Sequence, residues 1–322
     1  MFALSHFSVN QNRADSSMLN LATIPSASSE LTMPLAQRTV AIVVDSAASL
    51  PPGFSQQRGI FIAPMTVTLD GYSYRDGIDI TTNEFYRRLR TASTSPTTSA
   101  PSTAAYMEAF HLASKEHEAI LCVSAGERFS ASFDAAALAA VEARHLLPST
   151  EIRLLDSQAA AGSQALATLE AWRAAQEGAT LARAEMLATR VVDRVSLLAF
   201  VDTLRYLRRS GRVPLVAHLG ASLLRIKPLF KLEKSEITTM ARLRTRRAGI
   251  RRMLDLMRER VSTDKLHAAV MHADAHEDAE SMMRSIETEF DCTELYISEF
   301  TPAMGAHIGP GLLGIAFWSE ST

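Results

Sequence analysis

Short apolar runs alternate with longer amphipathic stretches through the first half of the chain. Runs rich in β-branched or other apolar residues predict buried strands at 39–44 and 119–123, an extended segment at 60–69 and a strand at 152–155. Helical patterns lie between them: Thr81 and Glu84 form a capping box, and Ser102 is placed to cap a helix that carries Tyr106 and Phe110 on one face. Strand–helix alternation over residues 39–160 is typical of a parallel sheet with crossover helices.

The second half of the chain repeats this alternation. Two helices are predicted within 160–192, joined near Gly178, followed by a strand at 197–201 and a hairpin of strands 226–232 and 237–242 around Lys234 and Ser235. A stripe of apolar residues at helical spacing, with core methionines, covers 250–261. Strands at 266–271, 294–300 and 312–318 and a helix from about residue 277 complete a second α/β unit. We therefore predict an α/β protein with domains at 37–194 and 195–322, after a flexible extension at 1–36.

Composition narrows the class of protein. Of the 322 residues, 47% are hydrophobic, which predicts a globular protein with a sizeable core, and the net charge of −2 argues against nucleic acid as the main partner. No run reaches the length of a membrane span, and residues 1–36 lack the pattern of a secretory signal. The two cysteines, Cys122 and Cys292, are too few for a four-cysteine zinc site and are expected to be buried thiols in a reducing compartment.

Hydroxyl side chains are concentrated between Pro96 and Ser102. The two prolines of this segment restrict its backbone, and Thr97, Thr98 and Ser99 each offer a donor and acceptors. The segment suits capture of a small anionic or carbonyl-bearing head group, or it is a linker that ends in the helix cap at Ser102. Because parallel sheets bind ligands at the carboxyl ends of their strands, Asp45 and Asp156 mark the same rim.

Two later segments also carry candidate chemistry. Residues 202–213 place four arginines opposite an apolar side, which fits a phosphate or acidic-partner site or a solvated helix end. Residues 301–311 place His307 among three glycines, either in a structural position or as a donor to a carboxylate or phosphate. His307 has no acidic or cysteine neighbours, so no metal site is predicted there.

Seven motifs occur together in one order between residues 39 and 318. They are Asp45-Ser46, the Asp76-Gly77-Ile78-Asp79-Ile80 run, the hydroxyl segment 96–102, Asp156-Ser157, the arginine segment 207–213, Ile226-Lys227-Pro228 and the glycine–histidine segment 306–311. In this combination the chain resembles the DegV family, the fatty-acid-binding subunits of bacterial fatty acid kinases. The resemblance implies a two-domain α/β fold, with a parallel-sheet N-terminal domain, an α/β C-terminal domain and a long-chain fatty acid between them.

The resemblance also implies roles for individual residues. Thr97 and His307 would hold the fatty acid carboxylate, with Thr98, Ser99 and Gly309 beside them. Arg212 would support phosphotransfer and Arg244 would assist it. A separate ATP-dependent kinase subunit would phosphorylate the bound acid, and the binding subunit would deliver acyl phosphate toward phospholipid synthesis. On this basis we expect a cytoplasmic lipid-binding subunit with transient membrane contact, no cofactor besides the fatty acid and no stand-alone catalysis.

The chain departs from the family pattern after the third predicted strand. Residues 124–132 are two longer than usual, and Ala125 stands where a second serine is expected, so Ser124 is the remaining candidate ligand residue; Glu127 adds a negative charge nearby. Two other classes of function stay open. One is a hydrolase or phosphatase that uses Asp45 or Asp156 with His307, although no nucleophile elbow or phosphate-binding glycine loop occurs. The other is a small-molecule or lipid sensor.

Overall fold

Thirteen strands and nine helices make up the described part of the computed structural model, which comprises residues 39–54, 57, 59–213, 226–261 and 265–320. The strands are β1 Val40–Asp45, β2 Ile60–Ala63, β3 Thr66–Leu69, β4 Tyr72–Arg75, β5 Thr97–Ser99, β6 Ala119–Ser124, β7 Glu151–Asp156, β8 Ser196–Phe200, β9 Lys227–Glu233, β10 Glu236–Leu243, β11 Leu266–His272, β12 Cys292–Glu299 and β13 Leu313–Ser319. The helices are α1 Thr82–Leu89, α2 Thr103–Ser114, α3 Ser132–Leu146, α4 Ala161–Gln176, α5 Leu181–Arg194, α6 Arg205–Ser210, α7 Arg246–Arg260, α8 His276–Glu289 and α9 Pro302–Ile308. The predicted extension at 1–36 lies outside the described residues.

The first sheet is four-stranded and wholly parallel, in the order β2-β1-β6-β7. Every residue of β1 and β6 is buried, as expected where helices cover both faces of a parallel sheet. Helices α2 and α3 pack on one face and α4 and α5 on the other. The parallel sheet predicted from residues 39–160 is confirmed.

The second sheet has six strands in the order β10-β9-β8-β13-β11-β12 and is mixed. Only β11 and β12 pair in parallel; the other neighbours are antiparallel. Helices α7 and α8 cover one face, and α4 contacts β11 and β13 on the other. Gly162 permits that approach, because a Cβ there would lie 2.6 Å from Sδ of Met271. The boundary near residue 195 between two domains stays a prediction.

A third, three-stranded sheet has the antiparallel order β4-β3-β5 and was not predicted. The sequence at 60–69 was interpreted as one extended segment, but Pro64 and Met65 separate β2 of the parallel sheet from β3 of this one. Residues 97–99 were expected in a loop and form β5 instead. Strand formation matters here because it fixes which hydroxyls share a face.

Local signals in the sequence account for several element boundaries. The side chains of Thr81 and Ser102 accept hydrogen bonds from the first turns of α1 and α2, as predicted. Lys234 and Ser235 both have positive φ, 47° and 62°, which suits the two-residue hairpin predicted between β9 and β10. In α7, Met253 and Met257 are fully buried, which confirms them as core residues.

Candidate functional site

A cavity of about 160 Å³ lies between the six-stranded sheet, the N-terminal end of α4 and helix α9. Alternate residues of β8 and its continuation form part of its wall, namely Leu197, Ala199 and Val201, whereas Leu198 and Phe200 pack into the core on the other face. The remaining apolar wall comes from β9, β10, α9 and neighbouring loops and includes Phe230, Leu232, Ile237, Met304, Ile308 and Leu312. A nearly continuous apolar wall of this kind is suited to a hydrocarbon chain.

Three polar side chains interrupt this wall: Ser130, Arg212 and His307. They are the only hydrogen-bonding or charged side chains among the described residues that line the cavity. An apolar cavity with a few grouped polar side chains fits an amphipathic ligand, because a polar head buried without partners is costly.

His307 lies in the last turn of α9 and contacts the hydroxyl segment of the sequence. The Oγ1 atom of Thr98 is 2.6 Å from Nε2 of His307, which is hydrogen-bonding distance. Strand β5 orients this hydroxyl: Thr98 is paired with Val67 of β3 and half-buried, whereas its neighbours Thr97 and Ser99 are exposed. The hydroxyl that contacts His307 is therefore that of Thr98 and not that of Thr97, because successive strand side chains point to opposite faces. The carboxylate-binding role of Thr97 stays a prediction.

The His307 ring is neutral near neutral pH. Burial, and to a smaller extent the positive charge of Arg212, lower the pKa of His307 to about 4. A neutral imidazole has one N–H donor and one acceptor nitrogen, so it can link Thr98 to a second group. This pair provides hydrogen-bonding capacity for a polar head group at the cavity without adding a charge.

Arg212 lies at the end of the described segment that follows α6. Gly211 ends α6 with a φ of 65°, and Arg212 then reaches the 124–132 segment, where its guanidinium donates to the carbonyl of Phe129. Arg212 is exposed to solvent and also contributes to the wall of the cavity. This position suits a cation that acts on a group presented at the opening.

The segment around His307, expected to be a loop, is largely helical. Pro302 occupies the first helical position of α9, a favoured place for proline, and Gly309 ends the helix with a φ of 74°. A Cβ on Gly309 would lie 2.1 Å from the ring of Tyr206, and a Cβ on Gly305 would lie 2.6 Å from the hydroxyl of Tyr86. The glycines thus allow α9 to pack closely between two aromatic side chains, which is the role that the structure gives to Gly309.

Residues 124–132, where the sequence departs from the family pattern, contribute Ala125, Phe129 and Ser130 to the cavity wall. Ser124 is buried, and its hydroxyl makes no hydrogen bond among the described residues; it does not line the cavity. Ala125 does line the cavity, and its backbone N–H donates to Asp45 at 2.7 Å. Glu127 is exposed and is not part of the cavity wall, so its charge does not face the apolar interior.

Arg244 does not reach the cavity. It is exposed after β10 and is absent from the described wall of the cavity. The nearby Arg246 is committed elsewhere: its guanidinium donates to Asp202 at 2.8 Å and to Asp278 at 2.5 Å. Within the described ranges Arg244 is not part of the cavity wall, and the supporting role that the resemblance implied for it stays a prediction.

The two Asp-Ser pairs have structural partners. Asp45 is fully buried and accepts hydrogen bonds from the backbone of Ala47 and Ala125 and from the side chains of Tyr106 and Gln164; burial raises its pKa. Asp156 accepts from the backbone N–H of Gln158 at 2.9 Å. Neither carboxylate lines the cavity, and the described residues hold no metal-binding group of three or more His, Cys, Asp or Glu. The arrangement gives no support to a hydrolase that uses Asp45 or Asp156 with His307.

Sequence reasoning missed most of the cavity wall. The sequence analysis did not single out Phe129 and Ser130. For strand β8, the alternation of Leu197, Ala199 and Val201 was the signal that could have identified the residues facing the cavity. That signal identifies a face of a strand but does not say whether the face meets a helix or a cavity, which depends on distant elements.

The family model described as "Uncharacterised protein, DegV family" matches residues 39–320. The chain belongs to the DegV family. A DegV domain-containing protein of Streptomyces coelicolor is 31% identical over 285 residues, which are 88% of this chain and 99% of the relative. Protein DegV of Bacillus subtilis is 26% identical over 280 residues, covering 86% of this chain and 98% of the relative.

Two solved structures share this fold and have fatty acids in their descriptions. One is described as fatty acid binding of a DegV family protein from Thermus thermophilus, with a TM-score of 0.80, 25% identity and coverage of 88% of this chain and 100% of that one. The other is DegV from Bacillus subtilis, described as a fatty acid binding protein, with a TM-score of 0.78, 25% identity and the same coverage. The predicted DegV-like α/β fold is confirmed.

None of the described helices is long and apolar enough to span a bilayer.

Proposed function

We propose that this protein binds a long-chain fatty acid in the cavity between α9 and the six-stranded sheet. The observation that carries the proposal is the combination of an apolar wall with one half-buried histidine on it, His307, which is hydrogen-bonded to the hydroxyl of Thr98 behind it. Each methylene removed from water contributes about 0.8 kcal/mol, so a tail of a dozen or more carbons supplies most of the affinity. Fatty acid binding by the related proteins from Thermus thermophilus and Bacillus subtilis supports this assignment.

The carboxylate of the ligand belongs at the polar side chains. In this proposal the carboxylate replaces the hydrogen bond between Thr98 and His307: Thr98 donates its hydroxyl hydrogen to one carboxylate oxygen, and the neutral His307 ring donates its one N–H to the carboxylate. Arg212 adds a positive charge from the solvent side, since it lines the cavity and stays exposed. Thr97 and Ser99 are exposed on the other face of β5, and Ser124 neither lines the cavity nor contacts His307 through its hydroxyl, so in this proposal these three contribute less than Thr98.

The finer part of the proposal concerns what happens to the bound acid. We infer that a separate ATP-dependent kinase subunit phosphorylates the carboxylate and that Arg212 stabilises the negative charge during transfer. The binding subunit itself has no stand-alone catalysis in this scheme; it works in the cytoplasm and carries acyl phosphate to phospholipid synthesis through transient contact with the membrane. The exposed position of Arg212 supports this role, because a kinase must reach the carboxylate from outside.

Denaturing mass spectrometry of the protein, purified without added lipid, tests the binding proposal. The expected result is a co-purified long-chain fatty acid in near-stoichiometric amount that is released only on unfolding. A lipid sensor would retain fatty acid but would not support phosphorylation when incubated with a cognate kinase and ATP. If the purified protein is free of lipid and also fails to bind added palmitic acid, both the proposed fatty acid carrier and the lipid sensor are rejected.

A further inference from the structure

The apolar wall of the cavity contains two rows of side chains that run across neighbouring strands. Ala199 of β8 is paired with Phe230 of β9, and both line the cavity. Two residues further along, Leu197 of β8 is paired with Leu232 of β9, which is paired in turn with Ile237 of β10. These last three residues, here called the end row, also line the cavity. Side chains two apart on a strand share a face, so both rows border the same space.

The end row and His307 lie at opposite ends of this face of the sheet. Val201 follows β8 and Leu312 precedes β13, and the two are neighbours because Phe200 is paired with Leu313. Helix α9, which carries His307 in its last turn, ends four residues before Leu312. The head-group side chain is therefore at the Val201 end of β8, and the end row is at the other.

The space beyond the end row is filled by protein. Val195 and Trp318 are the next side chains on this face; both are buried in the same apolar cluster, and neither is among the described residues that line the cavity. On the outer side, the tip of the β9–β10 hairpin is fixed, because the N–H and the hydroxyl of Ser235 both donate to the carbonyl of Gln158, at 2.9 and 3.1 Å. Gln158 leads into Ala160, which lines the cavity. The cavity is thus closed where the end row lies.

We propose that the end row sets the length of the acyl chain that this protein binds most tightly, because the terminal methyl group of the tail rests against it. The inference rests on the proposed binding of the fatty acid carboxylate at His307, and it narrows the ligand to fatty acids whose tails end at this row. Because a C–C single bond is about 1.5 Å long, an extended tail advances about 1.3 Å per carbon and passes the face from Val201 to the end row, about 13 Å, with about ten carbons. A carbon beyond the end row would have to displace packed side chains.

Displacement of the fluorescent fatty acid cis-parinaric acid by saturated fatty acids of about ten to twenty carbons gives an affinity for each chain length and tests the proposal. Wild-type affinity should rise about fourfold per added carbon and then fall once the tail exceeds the end row. Ile237→Ala removes most of a half-buried side chain of the end row, so the optimal chain should become about two carbons longer. Ala199→Leu adds bulk one row earlier, about 7 Å nearer to His307, so the optimal chain should become about five carbons shorter.

Ile297→Ala is the matched control, because Ile297 is a half-buried residue of β12 in the same sheet that packs on the opposite face, against the core under α7 and α8. Its optimal chain length should equal that of the wild type. An optimum that stays at the wild-type length in Ile237→Ala or in Ala199→Leu would overturn the proposal, and so would a wild-type affinity that keeps rising through the whole series. If Ala199→Leu does not fold, the result for Ile237→Ala decides. Failure of the wild-type protein to bind cis-parinaric acid and every acid of the series would instead reject the underlying function.

Discussion

The hydroxyl of Thr98 and the Nε2 atom of His307 lie 2.6 Å apart, although 209 residues separate them in the sequence. One residue is held by the short strand β5 and the other by the last turn of α9. Their contact joins the small three-stranded sheet to the wall of the apolar cavity. Of the three neighbouring hydroxyls at 97–99, that of Thr98 is the one that reaches His307.

Thr98→Val should weaken fatty acid binding, because valine keeps the branched shape and removes the hydroxyl. We expect about 5- to 10-fold lower affinity for cis-parinaric acid, the usual effect of one lost hydrogen bond. Thr97→Val is the matched control and should change affinity less than twofold, because Thr97 is exposed on the other face of β5. A larger effect at Thr97 than at Thr98 would contradict the assignment by strand alternation.

His307→Ala should leave the ligand carboxylate short of a partner in an apolar site. Such a loss costs about 1–3 kcal/mol, which corresponds to about 5- to 150-fold weaker binding in a fluorescence titration. Thermal unfolding without ligand should stay close to wild type, because the His307 ring is half-buried and uncharged near neutral pH. Unchanged affinity with wild-type stability would mean that the head group binds elsewhere.

The local signals in the sequence were enough to predict the parallel sheet and most helices, and they singled out His307, which lines the cavity. They failed where a role depends on a partner distant in the chain. The hydroxyls at 97–99 were visible, but the choice of Thr98 requires the pairing of β5 with β3, which no local pattern encodes. Glycines around His307 suggested a loop, whereas Gly305 and Gly309 make room for Tyr86 and Tyr206, which approach from other elements.

Arg212→Ala should separate binding from phosphorylation. Its guanidinium contacts the carbonyl of Phe129 and solvent rather than the apolar wall alone, so loading with fatty acid should remain within about threefold of wild type. Phosphorylation of the bound acid by a cognate kinase and ATP should fall at least about tenfold, the scale of a lost charge-stabilising group. Arg244→Ala is the control, because Arg244 lies outside the cavity wall, and should affect neither. Equal loss of loading and phosphorylation in Arg212→Ala would make Arg212 a binding residue.

Gly309→Ala should destabilise the fold far more than Gly211→Ala. Both glycines have positive φ, 74° and 65°, so each substitution carries a backbone cost of about 1–2 kcal/mol. Only at Gly309 would the new Cβ meet the Tyr206 ring, which adds about 1–3 kcal/mol of overpacking. Urea unfolding measures the difference directly. Similar losses at both positions would show that the contact between α9 and Tyr206 is unimportant.

Asp76→Asn should not lower the stability of the unliganded protein at neutral pH. Because the pKa of Asp76 is raised from 3.8 to about 6 in the folded state, its contribution to stability is fully present below pH 3.8 and is lost as the pH rises through 6. The loss amounts to about 3 kcal/mol on this basis, and asparagine avoids it. Urea unfolding at pH 4.5 and 7.5 should show a gain for Asp76→Asn that grows with pH. Lower stability of the variant at pH 7.5 would contradict the raised pKa.

A crystal structure of the protein with bound palmitic acid tests the central claim most directly. The account predicts that one carboxylate oxygen lies about 2.6–3.2 Å from the Thr98 hydroxyl and that the carboxylate also contacts His307, with the tail running along Ala199 and Phe230. A carboxylate located away from Thr98 and His307, or a tail bound outside the cavity between α9 and the six-stranded sheet, would contradict it.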